Sequence, residues 1–134
     1  MKSGFLTCMF LLLLIGVLPA QADQADSLLA RLDSTVLSED QIDLQLQLAR
    51  SISNSDIRKA LEYAHSALKD AEALRSTRWI AESKLAIGQF YDYLGVNKQA
   101  ADHLVEAFSN FRVLGDSAKQ ALTLMNIGLS LIHI

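Results

Sequence analysis

Three histidines (His65, His103 and His133) and one cysteine (Cys8) are the side chains of this 134-residue chain best suited to metal binding or nucleophilic chemistry. The histidines are scattered and no cysteine accompanies them, so no metal-ligand spacing emerges. H-E-x-x-H, a Gly-rich phosphate loop ending in Lys-Ser/Thr, and a G-x-S-x-G turn are all absent. The carboxylate pairs Glu39/Asp40 and Asp70/Glu72 fall at helix ends or on polar faces, where capping and solvation account for them. His65 and His103, far apart in the chain, read as surface or groove residues. We therefore expect a non-enzymatic protein with no catalytic residue, no cofactor and no metal site. A small helical hydrolase or lyase is the least supported class.

Composition narrows the alternatives. With 12 Lys+Arg against 15 Asp+Glu, the chain has no basic footprint for nucleic acid. Six Gly, one Pro and a 51% hydrophobic content exclude collagen-like and disordered classes. One cysteine cannot close an internal disulfide.

The N-terminus reads as an export signal. Lys2 supplies a positive start, Phe5–Leu18 is an apolar run without a charge, and Pro19-Ala20-Gln21-Ala22 offers an A-x-A cleavage site before Asp23. At about 1.5 Å per residue the run reaches roughly 21 Å, short of the roughly 30 Å needed to span a bilayer. Cys8 sits too early in the run to be a lipidation site and leaves with the signal. Residues 1–22 are thus expected to be a signal peptide and residues 23–134 a periplasmic domain without cysteine.

After Pro19 there is no proline, and Ala and Leu are abundant, so the fold class is expected to be all-α. Asp26 or Ser27 starts a first helix with Leu28, Leu29 and Leu32 on one side. Ser38 caps a second through Ile42, Leu44, Leu46, Leu48 and Ile52, a stretch whose period-two alternation also fits a strand. Ser55 or Asp56 caps a third with the stripe Ala60, Leu61, Ala64, Ala67, Leu68, Ala71 and Leu74. Thr77 opens a fourth with Ile80, Ala81, Leu85, Gly88, Tyr91 and Leu94 inward, ended by Gly95. Asn97 caps a fifth with Ala100, Leu104, Ala107, Phe108, Phe111 and Leu114, ended by Gly115. Asp116 caps a sixth with Ala118, Ala121, Met125, Gly128 and Ile132 inward. Polar caps and terminal glycines are the chemistry such helices need.

The chain echoes itself at a spacing of 40: Ala60/Ala100, Ala67/Ala107, Leu74/Leu114, Ala81/Ala121, Ile87/Ile127 and Gly88/Gly128. A glycine inside a helix costs about 1 kcal/mol relative to Ala. Its recurrence in one register predicts that a neighbouring helix sits against both Gly88 and Gly128.

Gly88-x-x-Tyr91-x-x-x-Gly95 followed by Ala100, Leu104, Ala107 and Phe108 resembles a tetratricopeptide repeat (TPR). Ala60, Ala64, Ala67 and Leu68 resemble the second helix of an earlier repeat, and Ala118–Gly128 the first helix of a later one. The resemblance covers roughly residues 38–130. It departs from the family in its spacing, which is about 34 residues in the usual repeat. Lys84 replaces the family's Trp, the terminal Pro is missing, and Leu48 stands where a small residue is expected. The resemblance implies antiparallel helix pairs stacked as an α-solenoid, with an unrelated helical bundle as the alternative. It also implies that the first helix of each repeat lines a groove for a protein or peptide. In that register Glu82, Gln89, Asp92 and Asn126 face the groove with Leu85 and Met125. Trp79 is expected to pack over the loop after Leu74.

Residues 129–134 read LSLIHI where the echo predicts QFYDYL, and the string resembles the translation of a common sequencing adapter. We expect a domain truncated at its C-terminus, its last helix prone to self-association and its membrane anchoring, if any, supplied downstream. The signal, the opening Ala25-Asp26-Ser27-Leu28-Leu29-Ala30-Arg31-Leu32 and the long repeats resemble the periplasmic TPR region of bacterial sensor proteins. The expected role is sensing or partner recruitment; a complete small periplasmic adaptor or scaffold is the alternative.

Overall fold

Ser38 and Asp56 terminate their helices at the N-terminal end by the same device. The Ser38 hydroxyl accepts a hydrogen bond from the Gln41 amide at 3.3 Å, and the Asp56 carboxylate accepts one from the Lys59 amide at 3.0 Å. Asp116 does likewise for Lys119 at 3.0 Å. Each side chain satisfies an amide that the first helical turn leaves without a partner. The computed structural model describes residues 20–32 and 36–132, all of its regular elements being helices. These are α1 (Ala20–Leu32), α2 (Glu39–Ile52), α3 (Ile57–Ala73), α4 (Thr77–Tyr93), α5 (Asn97–Leu114) and α6 (Ser117–Ile132). The fold is all-α. The signal residues Lys2, Phe5–Leu18 and Pro19, and the terminal His133 and Ile134, lie outside the described residues.

The period-two alternation of α2 resolves into two helical stripes. Ile42, Leu46 and Ala49 join the core shared with α3 and α4. Leu44 and Leu48 turn to the other side and pack with Leu28 of α1. A helix buried on two sides needs apolar residues in both stripes, and their sum mimics a strand. Leu48 therefore does not occupy the small-residue position. Matched at an offset of 39, the buried Ile42, Leu44, Leu46, Leu48 and Ala49 fall on Ala81, Ser83, Leu85, Ile87 and Gly88, which sets Ala49 opposite Gly88.

Three helix ends are closed alike. Ser76, Val96 and Asp116 donate their amides to the carbonyls of Ala71, Tyr91 and Phe111 at 3.1, 2.9 and 3.0 Å. The residue before each is left-handed: Arg75 at φ 53°, Gly95 at 72° and Gly115 at 69°. This six-to-one closure recurs at an even interval along the chain and needs a left-handed residue, which glycine supplies without steric cost. Connections of two to four residues then reverse the chain between successive helices from α2 to α6.

Each helix packs on its chain neighbours. Beyond that, the backbones of α2 and α4 and of α4 and α6 come together, and those of no other pair of described helices do. α3 and α5 begin at Ile57 and Asn97, and α4 and α6 at Thr77 and Ser117, which reproduces the interval of the sequence echo. α2, beginning at Glu39, stands slightly closer to α4 than that interval requires. α4 divides its surface: Ala86, Ile87 and Phe90 face back into the α2–α3 core, while Ala81 and Leu85 face forward into a core with Leu104, Ala107 and Phe111 of α5.

Several sequence expectations are corrected. α1 begins before Asp26, at Ala20, and Leu29 is exposed. Val96, not Asn97, caps α5, and neither Val96 nor Ser76 makes a side-chain cap bond. Leu74, Leu94 and Leu114 are exposed at the helix ends rather than inward. The largest reversal is in α6. Ala118, Ala121, Met125, Gly128 and Ile132 are exposed, and Leu122 and Ile127 pack on the α4–α5 core instead. α6 is apolar on both sides, so periodicity could not select its inner face. The echo selected residues equivalent to the forward face of α4, which on α6 meets solvent.

Among the repeat-packing residues, Ala60, Ala64, Ala67, Ala100, Leu104 and Ala107 are fully buried, and Leu68, Tyr91 and Phe108 are half-buried. A Cβ on Gly88 would lie 2.6 Å from Leu104 Cγ and 3.2 Å from the Ala100 carbonyl, so α4 and α5 approach as closely as expected there. Gly128 fails the same expectation: nothing lies within 4 Å of its Cβ position.

Candidate binding face

The even-numbered helices α2, α4 and α6 lie side by side, and Glu82 ties all three. Its Oε1 is 2.9 Å from Lys119 Nζ of α6, and its Oε2 is 3.6 Å from Arg50 Nη2 of α2. The Glu82 side chain is only 12% exposed, against 44% for Arg50 and 35% for Lys119. Cations on both sides offset the cost of enclosing a carboxylate in this way. Glu82, expected as a groove contact, is committed to neighbouring helices.

The other five expected groove residues divide by burial. Leu85 is 2% exposed and belongs to the α4–α5 core, so it is not a groove residue. Met125 is exposed. Gln89 is half-buried. Asp92, also half-buried, keeps one carboxylate oxygen buried without a hydrogen-bond partner. Asn126 donates its side-chain amide to the Leu122 carbonyl at 3.0 Å, within its own helix. Gly95, expected among the repeat-packing residues, ends α4 in the left-handed conformation already described. Trp79 packs against the α2–α3–α4 core, and its Nε1 has no partner.

Sequence reasoning missed a cluster on the opposite, odd-numbered side. His65 of α3, Tyr91 of α4 and His103 of α5 converge. The His65 and His103 ring centroids are 6.1 Å apart, Tyr91 stacks on His103 at 5.7 Å, and the Tyr91 hydroxyl is 3.4 Å from His65 Nε2. Partial burial lowers the pKa of His65 below its usual 6.5. His103 is lowered by burial first and by the charges of His65 and Lys84, against the upward pull of Glu106 and Asp102. Lys84 and Glu106 pair across the same α4–α5 seam. The usable signal is the similar position of the two histidines on corresponding helices, although two histidines alone spell no metal site. Arg50 and Lys119 were also missed, since their partner lies on another helix.

Among the described residues, no group of three or more His, Cys, Asp or Glu is arranged to hold a metal, and no helix is long and apolar enough to cross a membrane. A cavity of about 120 Å³ opens between α1, α2 and α3, lined by Leu29, Leu48, Ile52, Lys59 and Tyr63 among others. It is well below the roughly 300 Å³ at which drug-sized ligands are enclosed. The class these features define is an all-α protein with repeat-like helices. The chain matches no protein-family model, and comparison with curated proteins and with solved structures gave no significant match.

Proposed function

We propose that residues 23–134 form an exported, non-enzymatic TPR-like helical-repeat module that binds a protein or peptide, as the sensing or recruitment region of a bacterial signalling protein. The observation that carries this reading is the contact order. α2 meets α4 and α4 meets α6, but α2 does not meet α6, as in an open stack rather than a closed bundle. The evenly repeated helix-end closures at Ser76, Val96 and Asp116 support the same reading. A row of parallel helices offers an extended face, and extended partners are what such faces bind. Within it, the half-buried Gln89 and Asp92 of α4 offer polar side chains to a partner's N–H groups.

The test is a displayed peptide library selected on residues 23–134 and on the Gln89→Lys/Asp92→Lys variant. The expected result is one family of enriched sequences that binds the purified domain and loses at least about tenfold in affinity on the variant, about 1.4 kcal/mol. Enrichment of nothing, or equal binding to the variant, overturns the reading. Fusion of residues 1–22 to a reporter enzyme checks the export component: the reporter should reach the periplasm, and retention in the cytoplasm would refute it.

A further inference from the structure

The two sides of the helix row are held together by different means. On the even-numbered side the helices touch directly, α2 on α4 and α4 on α6. On the odd-numbered side the backbones of α3 and α5 do not come into contact, and the two helices share no core cluster. What meets across that gap is His65 with His103, with Tyr91 of α4 beneath both. We propose that this three-ring cluster is a pH-sensitive latch, which holds α3 beside α5 while both imidazoles are neutral and drives them apart when mild acid charges both.

The charges around the rings decide how it works. α3 contributes His65, α4 contributes Tyr91 and Lys84, and α5 contributes His103, Asp102 and Glu106. Lys84 is paired with Glu106, so that carboxylate is already engaged. Asp102 is likewise shared with Lys98 of its own helix at 3.6 Å, and among the described residues no carboxylate is paired with His65. The Tyr91 hydroxyl, 3.4 Å from His65 Nε2, can accept from the imidazolium but carries no countercharge. Two cations at the ring separation of 6.1 Å, partly shielded from solvent, repel each other more strongly than they would in water. His103 Nδ1 is buried without a hydrogen-bond partner, so a proton there gains no compensating bond where it stands. Repulsion is relieved by separating the odd-numbered helices, while the direct contacts of the even-numbered side persist. The result is a change of angle between successive helix pairs, with the even-numbered face as hinge.

The experiment is a distance measurement on the full domain. Residues 23–134 contain no cysteine, so Lys69→Cys and Ser109→Cys, exposed on α3 and α5, accept a pair of spin labels. Distances are recorded from about pH 7.5 to about pH 5, with histidine ring protons followed by NMR in the same samples. The expected result is a reversible shift to longer distance that tracks histidine titration, with helical content unchanged by circular dichroism. The shift is expected to vanish in His65→Gln and in His103→Gln, either of which leaves a single imidazolium. A distance unchanged while both histidines titrate overturns the latch. So does a shift that persists in both variants. The two variants guard against misfolding in one, because His65 belongs to none of the core clusters and its replacement leaves them intact.

Discussion

Leu104 fills the space that a side chain on Gly88 would need: its Cγ and Cδ2 lie 2.6 and 2.8 Å from the position of a Gly88 Cβ. Leu104 is fully buried and cannot move aside without displacing Ala107 or Phe111 in the same core. Gly128 holds the same register in the following echo and faces open space. The two glycines therefore respond to one substitution with opposite sign. Gly88→Ala is expected to destabilise by about 1–3 kcal/mol through overpacking, which outweighs the gain in helix propensity. Gly128→Ala is expected to stabilise by up to about 1 kcal/mol, because propensity acts there unopposed. Urea denaturation of both variants measures the difference, and equal signs would refute the assignment of the α4–α5 contact.

Arg75 occupies the left-handed position that Gly95 and Gly115 hold in the two later turns. A side chain there costs roughly 1–2 kcal/mol, part of which glycine returns as unfolded-chain entropy. Arg75→Gly should raise stability by about 0.5–1 kcal/mol, whereas Gly95→Ala and Gly115→Ala should each lower it. Thermal melts decide this, and a lower melting temperature for Arg75→Gly would be the contrary result.

Glu82→Gln leaves Arg50 and Lys119 facing each other without the carboxylate between them. The carboxylate is enclosed but its partners are partly solvated, so the cost falls between an exposed and a buried pair, about 1–2 kcal/mol. Added salt should narrow the gap between variant and wild type as it screens the remaining repulsion. A gap that does not move from low to high salt would show that packing, not charge, sets the effect.

Met125, Leu129 and Ile132 are exposed on α6 beside the open Gly128. Exposed apolar surface of this kind favours association, and the occupant available in a pure sample is a second copy of the chain. Residues 23–134 should self-associate as concentration rises, and Met125→Glu should shift them towards monomer. Sedimentation velocity across a concentration series reads this directly; concentration-independent monomer in the wild type would count against it.

His65 and His103 both have folded-state pKa values lowered from 6.5, so the unfolded chain binds protons before the folded one does. Stability then rises with pH in this window: it is fully present above 6.5 and declines as pH falls towards the folded-state values. Melting temperatures should drop on mild acidification in the wild type and drop less in His65→Gln. An equal loss in both proteins would assign the acid sensitivity to other groups.

The caps were legible because they are local chemistry. Ser38, Asp56 and Asp116 each needed only a side-chain oxygen and an amide three residues on. Val96, by contrast, caps α5 with no polar side chain, and nothing local distinguishes it from a helical residue. The candidate site was less legible than the fold. Glu82, Gln89, Asp92 and Asn126 were placed by register, but register says nothing about whether a side chain is already engaged. Glu82 is engaged by two other helices, and Asn126 by its own.

Sequence alone determined that the described residues are helical, where most helices start and stop, and that Gly88 and Gly128 could each admit a close neighbour. These follow from backbone propensity, capping and the steric minimum of one residue, all of which act within a turn or two. Tertiary structure decided which face of α6 turns inward, which side of α2 meets α1, and that His65 meets His103 across Tyr91. A helix with apolar residues on two sides has no local reason to prefer either. The choice falls to the surface already formed by its neighbours, which no single segment encodes.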